Sequence, residues 1–175
     1  MAITRQPSQI AKLAVFWYNI KVGLLGVCLF FMPEERFKLI SAAHLFLIRD
    51  GQVLLLRRFN TGYEDGNYSV PAGHIEQGEK VTATMLREAY EEAGVIIKQD
   101  DLKVVHVMHR KSTEERFDFF LCAEKWTGEI LVKEPNKCDQ LQWFSLKNLP
   151  PNIIPYISEA LNNFENGVFY SEFDW

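Results

Sequence analysis

The sequence predicts an α+β fold in which helices cover both faces of a mixed β-sheet, an α/β/α sandwich. Three observations predict it: several strand-like apolar segments, two amphipathic helical segments among them, and short connections between all of these. The order is strands, helix, strands, helix, without an internal repeat or a low-complexity linker. We therefore expect one working domain, residues 32–175.

The composition fits a folded domain and gives no electrostatic reason for binding double-stranded nucleic acid. Of 175 residues, 47% are hydrophobic and 24% are charged, which is ordinary for a globular protein. The formal net charge is -4, so the chain as a whole offers no basic surface to a phosphate backbone. The three widely spaced cysteines form no CxxC pair, which favours free thiols in a reducing, cytoplasmic compartment.

The first elements after the N-terminal region are a hairpin and a short strand. In "LISAAHLFLIRDGQVLLLRR", residues 39–58, two apolar runs flank Asp50-Gly51. Asp-Gly between such runs indicates a tight hairpin, because both residues accept a positive φ. The segment "YSVPAG", residues 68–73, indicates a short strand that ends in a Pro/Gly loop.

The first helix is predicted from Glu79 or Lys80 to the end of an apolar repeat, where Gly94 is a suitable C-terminal stop. Apolar side chains recur along it every four residues: Val81, Met85, Ala89 and Ala93. Strand-like segments follow at residues 102–110, 116–126, 129–132 ("EILV") and 141–146. The segment "IPYISEALNNFENG", residues 154–167, predicts a second amphipathic helix.

Residues 14–32, "AVFWYNIKVGLLGVCLFFM", form a nearly continuous apolar segment in a region without acidic residues. Three interpretations fit it. A membrane-associated helix needs about 20 apolar residues, and here Lys21 lies near the middle. A signal peptide needs a cleavage site, and none that convinces follows Phe31. The third is an accessory helix or a start-site artefact. On each interpretation residues 1–31 are a leader and the chemistry lies downstream.

Three glutamates of the first helix, Glu88, Glu91 and Glu92, are spaced so that they share one face. Like charges at this spacing repel one another. The divalent ions Mg²⁺ and Mn²⁺ prefer hard oxygen ligands and would relieve that repulsion. Such an ion can bridge phosphate oxygens and lower the pKa of a bound water. The helix face therefore predicts a divalent-metal site.

These glutamates belong to a longer pattern, "GHIEQGEKVTATMLREAYEEAGV", residues 73–95. It resembles the Nudix box, G-x5-E-x7-R-E-U-x-E-E-x-G-U with U aliphatic. Every fixed position is filled, with the small Ala89 at an aliphatic position. The resemblance extends more loosely from about residue 40 to 150. It implies a Nudix-like α/β/α sandwich that hydrolyses a nucleoside diphosphate linked to a group X, by attack of water on phosphorus.

The resemblance also implies which residues bind the metal ion, Mg²⁺ or alternatively Mn²⁺. Glu88 and Glu92 would be direct ligands. Glu91 would lie close behind them, and the backbone carbonyl of Gly73 or of its neighbour would contribute.

Further residues would support this site. Arg87 and Glu79 would orient the helix and the loop before it. The position of the general base varies in the superfamily, and our candidates are Glu88 and Glu134. The second later acidic candidate is Glu129.

Outside the box, Arg57 and Arg58 have two interpretations: a solvated strand end, or contacts with the phosphates of the substrate. We expect all four histidines to be structural rather than catalytic: His44, His74, His106 and His109.

The substrate class is assigned by elimination. ADP-ribose pyrophosphatases tend to carry a Pro, and diadenosine polyphosphate hydrolases a Tyr, at a set distance past the box. This chain has no Pro between Val95 and Pro135 and no Tyr between Tyr90 and Tyr156. The favoured activity is then a MutT-like conversion of a small nucleoside triphosphate to monophosphate and pyrophosphate. The alternatives are hydrolysis of a sugar nucleotide, a dinucleoside polyphosphate or capped RNA, and a non-catalytic nucleotide-binding module.

Overall fold

The computed structural model describes residues 37–175. The predicted leader at 1–31, its proposed membrane contact through 14–32 and Cys28 lie outside these residues. Among residues 37–175, no helix is long and apolar enough to cross a membrane. The other two cysteines, Cys122 and Cys138, are buried free thiols.

The described part of the chain forms eight strands, two α-helices and one 3₁₀ turn at Gln99–Asp101. The strands are β1 (Ile40–Arg49), β2 (Gln52–Arg58), β3 (Tyr68–Ser69), β4 (Ala72–His74), β5 (Lys103–Lys111), β6 (Glu115–Ala123), β7 (Cys138–Ser145) and β8 (Tyr170–Phe173). The helices are α1 (Val81–Ala93) and α2 (Pro155–Glu165).

The sheet is mixed, as the sequence predicts. Its main path runs β3-β2-β1-β6-β5-β8, while β4 pairs with β1 and β7 pairs with β2. Strands β1 and β6 are parallel at the centre, and β2 and β4 pair antiparallel with β1. In this register both Gly73 of β4 and Phe119 of β6 lie opposite Ala43 of β1.

The first hairpin turns at Asp50-Gly51, whose φ angles are 50° and 71°. Two successive residues with positive φ match the twist of antiparallel strands and bring β2 back directly against β1. The predicted hairpin is confirmed.

Alternation along β1 divides the core into two layers. Leu45 and Leu47 are fully buried and pack in the same cluster as Met85 of α1. The intervening Phe46 packs instead with Phe120 and with Ile157 of α2. Because successive side chains of a strand point to opposite faces, one helix covers each face of the sheet. The predicted α/β/α sandwich is confirmed.

The helix α1 ends where it was predicted to end, but the segment that packs against its C-terminus does not form the predicted strand. Gly94 ends the helix with a φ of 72°, as expected. Residues 129–132, predicted as strand-like, form no strand. Instead the N–H of Leu131 donates to Ala93 O at 3.1 Å and that of Lys133 donates to Glu92 O at 3.3 Å. The last carbonyls of a helix lack hydrogen-bond donors within the helix, and here the N–H groups of Leu131 and Lys133 are those donors.

The last strand, β8, was absent from the prediction. It pairs parallel with β5 at the edge of the sheet. Its segment is short, and Tyr170 is 48% exposed, so it lacks the buried apolar run that identifies the central strands.

A buried ion pair joins β5 to β6 beneath α2. The Nε of Arg110 donates to Asp118 Oδ2 at 2.8 Å, and His44 Nε2 lies 3.3 Å from Asp118 Oδ1. The Arg110 guanidinium also lies over the ring of Tyr156, 3.9 Å from its centroid. Burial by itself raises the pKa of Asp118, but His44 and Arg110 outweigh it and hold that pKa well below its usual range.

We predict that Asp118→Asn destabilises the fold by about 3 kcal/mol at pH 7, because it leaves Arg110 buried without its carboxylate. A depressed pKa in the folded state contributes stability above the unfolded pKa of about 4, and this contribution is lost as the pH falls toward the folded pKa. Urea unfolding of both proteins should therefore show a gap that is widest near neutral pH and narrows below about pH 4. A gap that stays constant from pH 7 to pH 3 contradicts this assignment.

Candidate active site

A cleft of about 370 Å³ opens between β4, α1 and the loop that precedes β7. Its walls carry five glutamates and two cations: Glu76, Glu88, Glu91, Glu92 and Glu134, with Arg87 and Lys137. A larger opening of about 460 Å³, lined by Asp100, Lys103 and Phe164, contains none of the predicted site residues. The smaller cleft is the candidate active site, because it is where the charged groups of the box meet.

Arg87 lies at the centre of the hydrogen bonds in this cleft. Its Nε and Nη2 each donate to one oxygen of Glu79 at 3.1 Å, which is a bidentate pair. Its Nη1 donates to Glu88 and, at 3.2 Å, to Glu91. The bonds from Arg87, with a further bond from Thr84, lower the pKa of Glu79 to about 2. One guanidinium thus holds three carboxylates and joins α1 to the loop before it.

Gly73 leaves the space that Glu88 occupies. A Cβ built on Gly73 would overlap the carboxylate of Glu88, so the helix side chain lies directly over the backbone of β4. Burial raises the pKa of Glu88, and Arg87 opposes that effect in part. Any larger residue at this position displaces one of the predicted ligands.

Glu92 joins α1 to strand β4 through a hydrogen bond. Its Oε2 accepts the backbone N–H of Ala72 at 2.9 Å. Burial of this carboxylate, with the nearby charges of Glu88 and Glu134, raises the pKa of Glu92 to about 8. A carboxylate held among like charges is stabilised when a cation binds beside it.

Of the two later acidic candidates, the structure brings one into the cleft. Glu134 lines it and accepts from Lys137 Nζ at 2.9 and 3.1 Å. Glu129 is exposed, and its carbonyl faces Gly94 at the end of α1 instead. Glu129 lies away from the other site residues because its segment is engaged with the helix end.

The two arginines at the end of β2 lie in different settings. Arg57 pairs with Asp139 through two hydrogen bonds of 2.8 Å, which leaves it outside the cleft. Arg58 donates to Tyr63 O at 2.7 Å. It lines a small cavity of about 60 Å³ whose other walls include Glu92, Glu134 and Lys137, so this cavity continues the cleft.

The four histidines differ in burial: two are buried, His109 is half-buried and His74 is exposed. His44 and His106 are buried, and His106 Nδ1 lies 2.9 Å from Val168 O, as expected of structural residues. His74 differs, because it is exposed and lines the cleft. The signal available in the sequence is its position next to Gly73 in the box, although the expectation there was a structural residue.

The donor atoms in the cleft fit a hard divalent cation. Four carboxylates of the predicted set line one opening, and oxygen ligands of this type suit Mg²⁺ or Mn²⁺. In residues 37–175, no three acidic, histidine or cysteine side chains are already assembled around one point. Arg87 takes that place, through its bonds to Glu88 and Glu91. An ion that binds here would therefore compete with Arg87 for these carboxylates.

A family model described as the NUDIX domain matches residues 38–164. The chain belongs to the Nudix family. The predicted resemblance is confirmed, and with it the predicted fold class. Nudix hydrolases generally use a divalent metal ion.

Two curated relatives are each named NAD-capped RNA hydrolase NudC. That of Pseudomonas aeruginosa is 32% identical over 121 residues, which is 67% of this chain and 40% of the relative. That of Chromobacterium violaceum is 42% identical over 115 residues, 63% of this chain and 40% of the relative. This Nudix chain thus spans about 40% of the length of these relatives.

Among solved structures, the MutT NUDIX hydrolase from Burkholderia pseudomallei is similar with a TM-score of 0.67 and 26% identity. The match covers 72% of this chain and 98% of that one.

We predict that Gly73→Ala destabilises the protein by about 1–3 kcal/mol, because the new methyl group overlaps the Glu88 side chain. In a Glu88→Ala background the same change should cost less than half as much, since the overlapping carboxylate is gone. Urea unfolding of the two single variants and the double variant measures this coupling. An equal cost of Gly73→Ala in both backgrounds contradicts the close approach of Glu88 to β4.

Proposed function

We propose that this chain is a divalent-metal-dependent hydrolase that cleaves the pyrophosphate bond of a nucleoside diphosphate linked to a group X. The observation that carries the proposal is the cleft that Gly73 lines together with four glutamates: Glu88, Glu91, Glu92 and Glu134. Membership of the Nudix family supports the same chemistry. All four glutamates of the box are present, which argues against a non-catalytic nucleotide-binding module.

The metal ion would be Mg²⁺, with Mn²⁺ as an alternative. Glu88 and Glu92 would hold it, with Glu91 and the carbonyl of Gly73 nearby. When bound, such an ion neutralises charge on phosphate oxygens and lowers the pKa of a coordinated water. Arg87 keeps α1 and the preceding loop in position through Glu79, and the bond from Ala72 to Glu92 keeps α1 against β4.

The proton of the attacking water needs an acceptor in the cleft, and Glu88 and Glu134 are the candidates. Glu88 is engaged by Arg87 and is also a proposed ligand. Glu134 makes no hydrogen bond to Arg87, and both of its carboxylate oxygens accept from Lys137 Nζ. We propose Glu134 as the general base that accepts this proton, because it lines the cleft from the loop before β7.

The favoured substrate is a small nucleoside triphosphate, cleaved to monophosphate and pyrophosphate. The absence of a Pro or a Tyr at the subfamily positions supports this choice. The net charge of -4 also favours a small nucleotide over a long RNA, whose backbone is usually held by lysines and arginines.

A second candidate is a dinucleotide such as NAD, free or as an RNA cap. It is favoured by the curated relatives, because several are named NAD-capped RNA hydrolase and one, from Methanocaldococcus jannaschii, is named ADP-ribose pyrophosphatase. Both candidates share the pyrophosphate bond and differ only in the group X.

The test is a turnover screen of the purified full chain with Mg²⁺ or Mn²⁺. The panel contains nucleoside triphosphates, NAD, ADP-ribose, sugar nucleotides, dinucleoside polyphosphates and NAD-capped RNA. We expect hydrolysis of at least one nucleoside triphosphate or dinucleotide, at a rate that Glu92→Gln lowers by about 100-fold or more, since it removes a ligand charge. The matched control is Glu124→Gln, an exposed glutamate outside the cleft, which should leave the rate unchanged.

Hydrolysis in H₂¹⁸O identifies the attacked phosphorus, because the label appears in the product phosphate that received the water. No turnover of any compound in the panel overturns the proposed activity. Full activity of Glu92→Gln overturns the assignment of the cleft.

A further inference from the structure

We propose that His74 binds a phosphate oxygen of the substrate in the cleft, and that Arg116, which lies beside Asp118, positions it for this contact. The proposal rests on the proposed function and adds a substrate-binding residue and its support. It concerns a side chain outside the acidic face of α1.

His74 has the exposure and the location that a substrate contact needs. It is the last residue of β4, next to Gly73, and its exposed side chain lines the same cleft as the glutamates.

Those glutamates repel a phosphate, and the two cations among them are already paired. Arg87 bonds to Glu88 and Glu91, and Lys137 bonds to Glu134. A donor on the β4 side of the cleft would complement a substrate whose phosphates carry negative charge.

The ring of His74 is held by an arginine from another part of the sheet. Arg116 Nη2 lies 2.9 Å from His74 Nε2. Strand β4 and strand β6 pair with opposite edges of β1, where His74 lies opposite Ala42 and Arg116 lies opposite Ile40. Two strand spacings of about 4.8 Å separate them, so Arg116 extends across β1 to reach the histidine.

The direction of this bond decides which nitrogen of His74 is available. A guanidinium only donates hydrogen bonds, so Nε2 of His74 accepts and the ring proton lies on Nδ1. That leaves the N–H at Nδ1 as the donor that His74 can offer to a ligand.

A positively charged group lies behind the ring of His74. Asp118 is fully buried and is shared by two arginines, with Arg110 at 2.8 Å and Arg116 Nε at 3.5 Å. Asp118 hydrogen-bonds to Arg110, while the Arg116 guanidinium lies beside the same carboxylate and also contacts His74. Arg116 is 18% exposed, so part of this charge is open to the solvent at the rim. A substrate phosphate bonded to His74 would lie within its field.

The test compares KM and kcat for the nucleotide that the full chain turns over fastest. His74→Ala should raise KM about 10-fold with kcat changed less than about threefold, because a hydrogen bond to a charged phosphate is lost in the bound state. His74→Asn keeps an N–H near the position of Nδ1 and should recover part of the loss. Arg116→Gln should also raise KM, and Arg116→Lys should raise it less because the charge remains.

The double variant separates positioning from direct binding. If Arg116 acts through His74, Arg116→Gln added to His74→Ala raises KM no further. Arg49→Gln is the control, because Arg49 lies at the other end of β1, over the ring of Trp143, and should leave KM unchanged. Thermal unfolding of each variant checks that the fold is intact.

A binding measurement gives a second readout that does not depend on turnover. Titration calorimetry with α,β-methylene-ATP and Mg²⁺ should show about 10-fold weaker binding to His74→Ala than to the unchanged chain. An active chain whose KM stays within twofold in His74→Ala overturns this inference and leaves the proposed function standing. If the increase in KM of the double variant equals the product of the increases in the two single variants, Arg116 does not act through His74 and its positioning role is overturned. If the unchanged chain hydrolyses no nucleotide, the proposed function fails, and the calorimetric comparison still decides the role of His74.

Discussion

The guanidinium of Arg87 is the group on which the rest of the site depends. Arg87 donates to Glu88 and Glu91 of the cleft and to Glu79 of the loop before α1, and these carboxylates would repel one another if they were left unpaired. Through Glu79 it also fixes the loop that leads into α1. The acidic face can therefore be held in place without an ion, and a bound ion would take over part of the positive charge that Arg87 supplies.

This arrangement requires α1 to lie very close to the sheet. Ala89 and Ala93 are fully buried in the core beneath the helix, where Ala43 of β1 packs in the same cluster. Small side chains at these points let the helix axis approach the strands. The close approach is what brings Glu88 over Gly73 and Glu92 to the N–H of Ala72. The small Ala89 at an aliphatic position of the box is consistent with this packing.

Features set by local sequence were predictable. Asp50-Gly51 specifies its turn through two positive φ angles, and Gly94 ends α1 for the same reason. The box residues could be assigned to one site because helical spacing alone places three glutamates on one face.

Features set by partners far along the chain could not be predicted. The segment at 129–132 has an apolar sequence typical of a strand, but the N–H of Leu131 donates to the end of α1, as does that of Lys133 just after it. The same long-range contact removes Glu129 from the cleft, while Glu134, five residues later, enters it. The bond from Arg116 to His74 joins two strands that are separated in space by a third, and no local pattern signals it.

We propose that the carboxylate-lined cleft binds one divalent ion. Electron paramagnetic resonance of Mn²⁺ titrated into the full chain tests that claim most directly, because it measures the free ion without any substrate. We expect one Mn²⁺ per chain, with an affinity at least about 10-fold weaker in Glu92→Gln, since the substitution removes one ligand charge. Equal affinity in the two proteins, or no stoichiometric binding in the unchanged chain, contradicts the account.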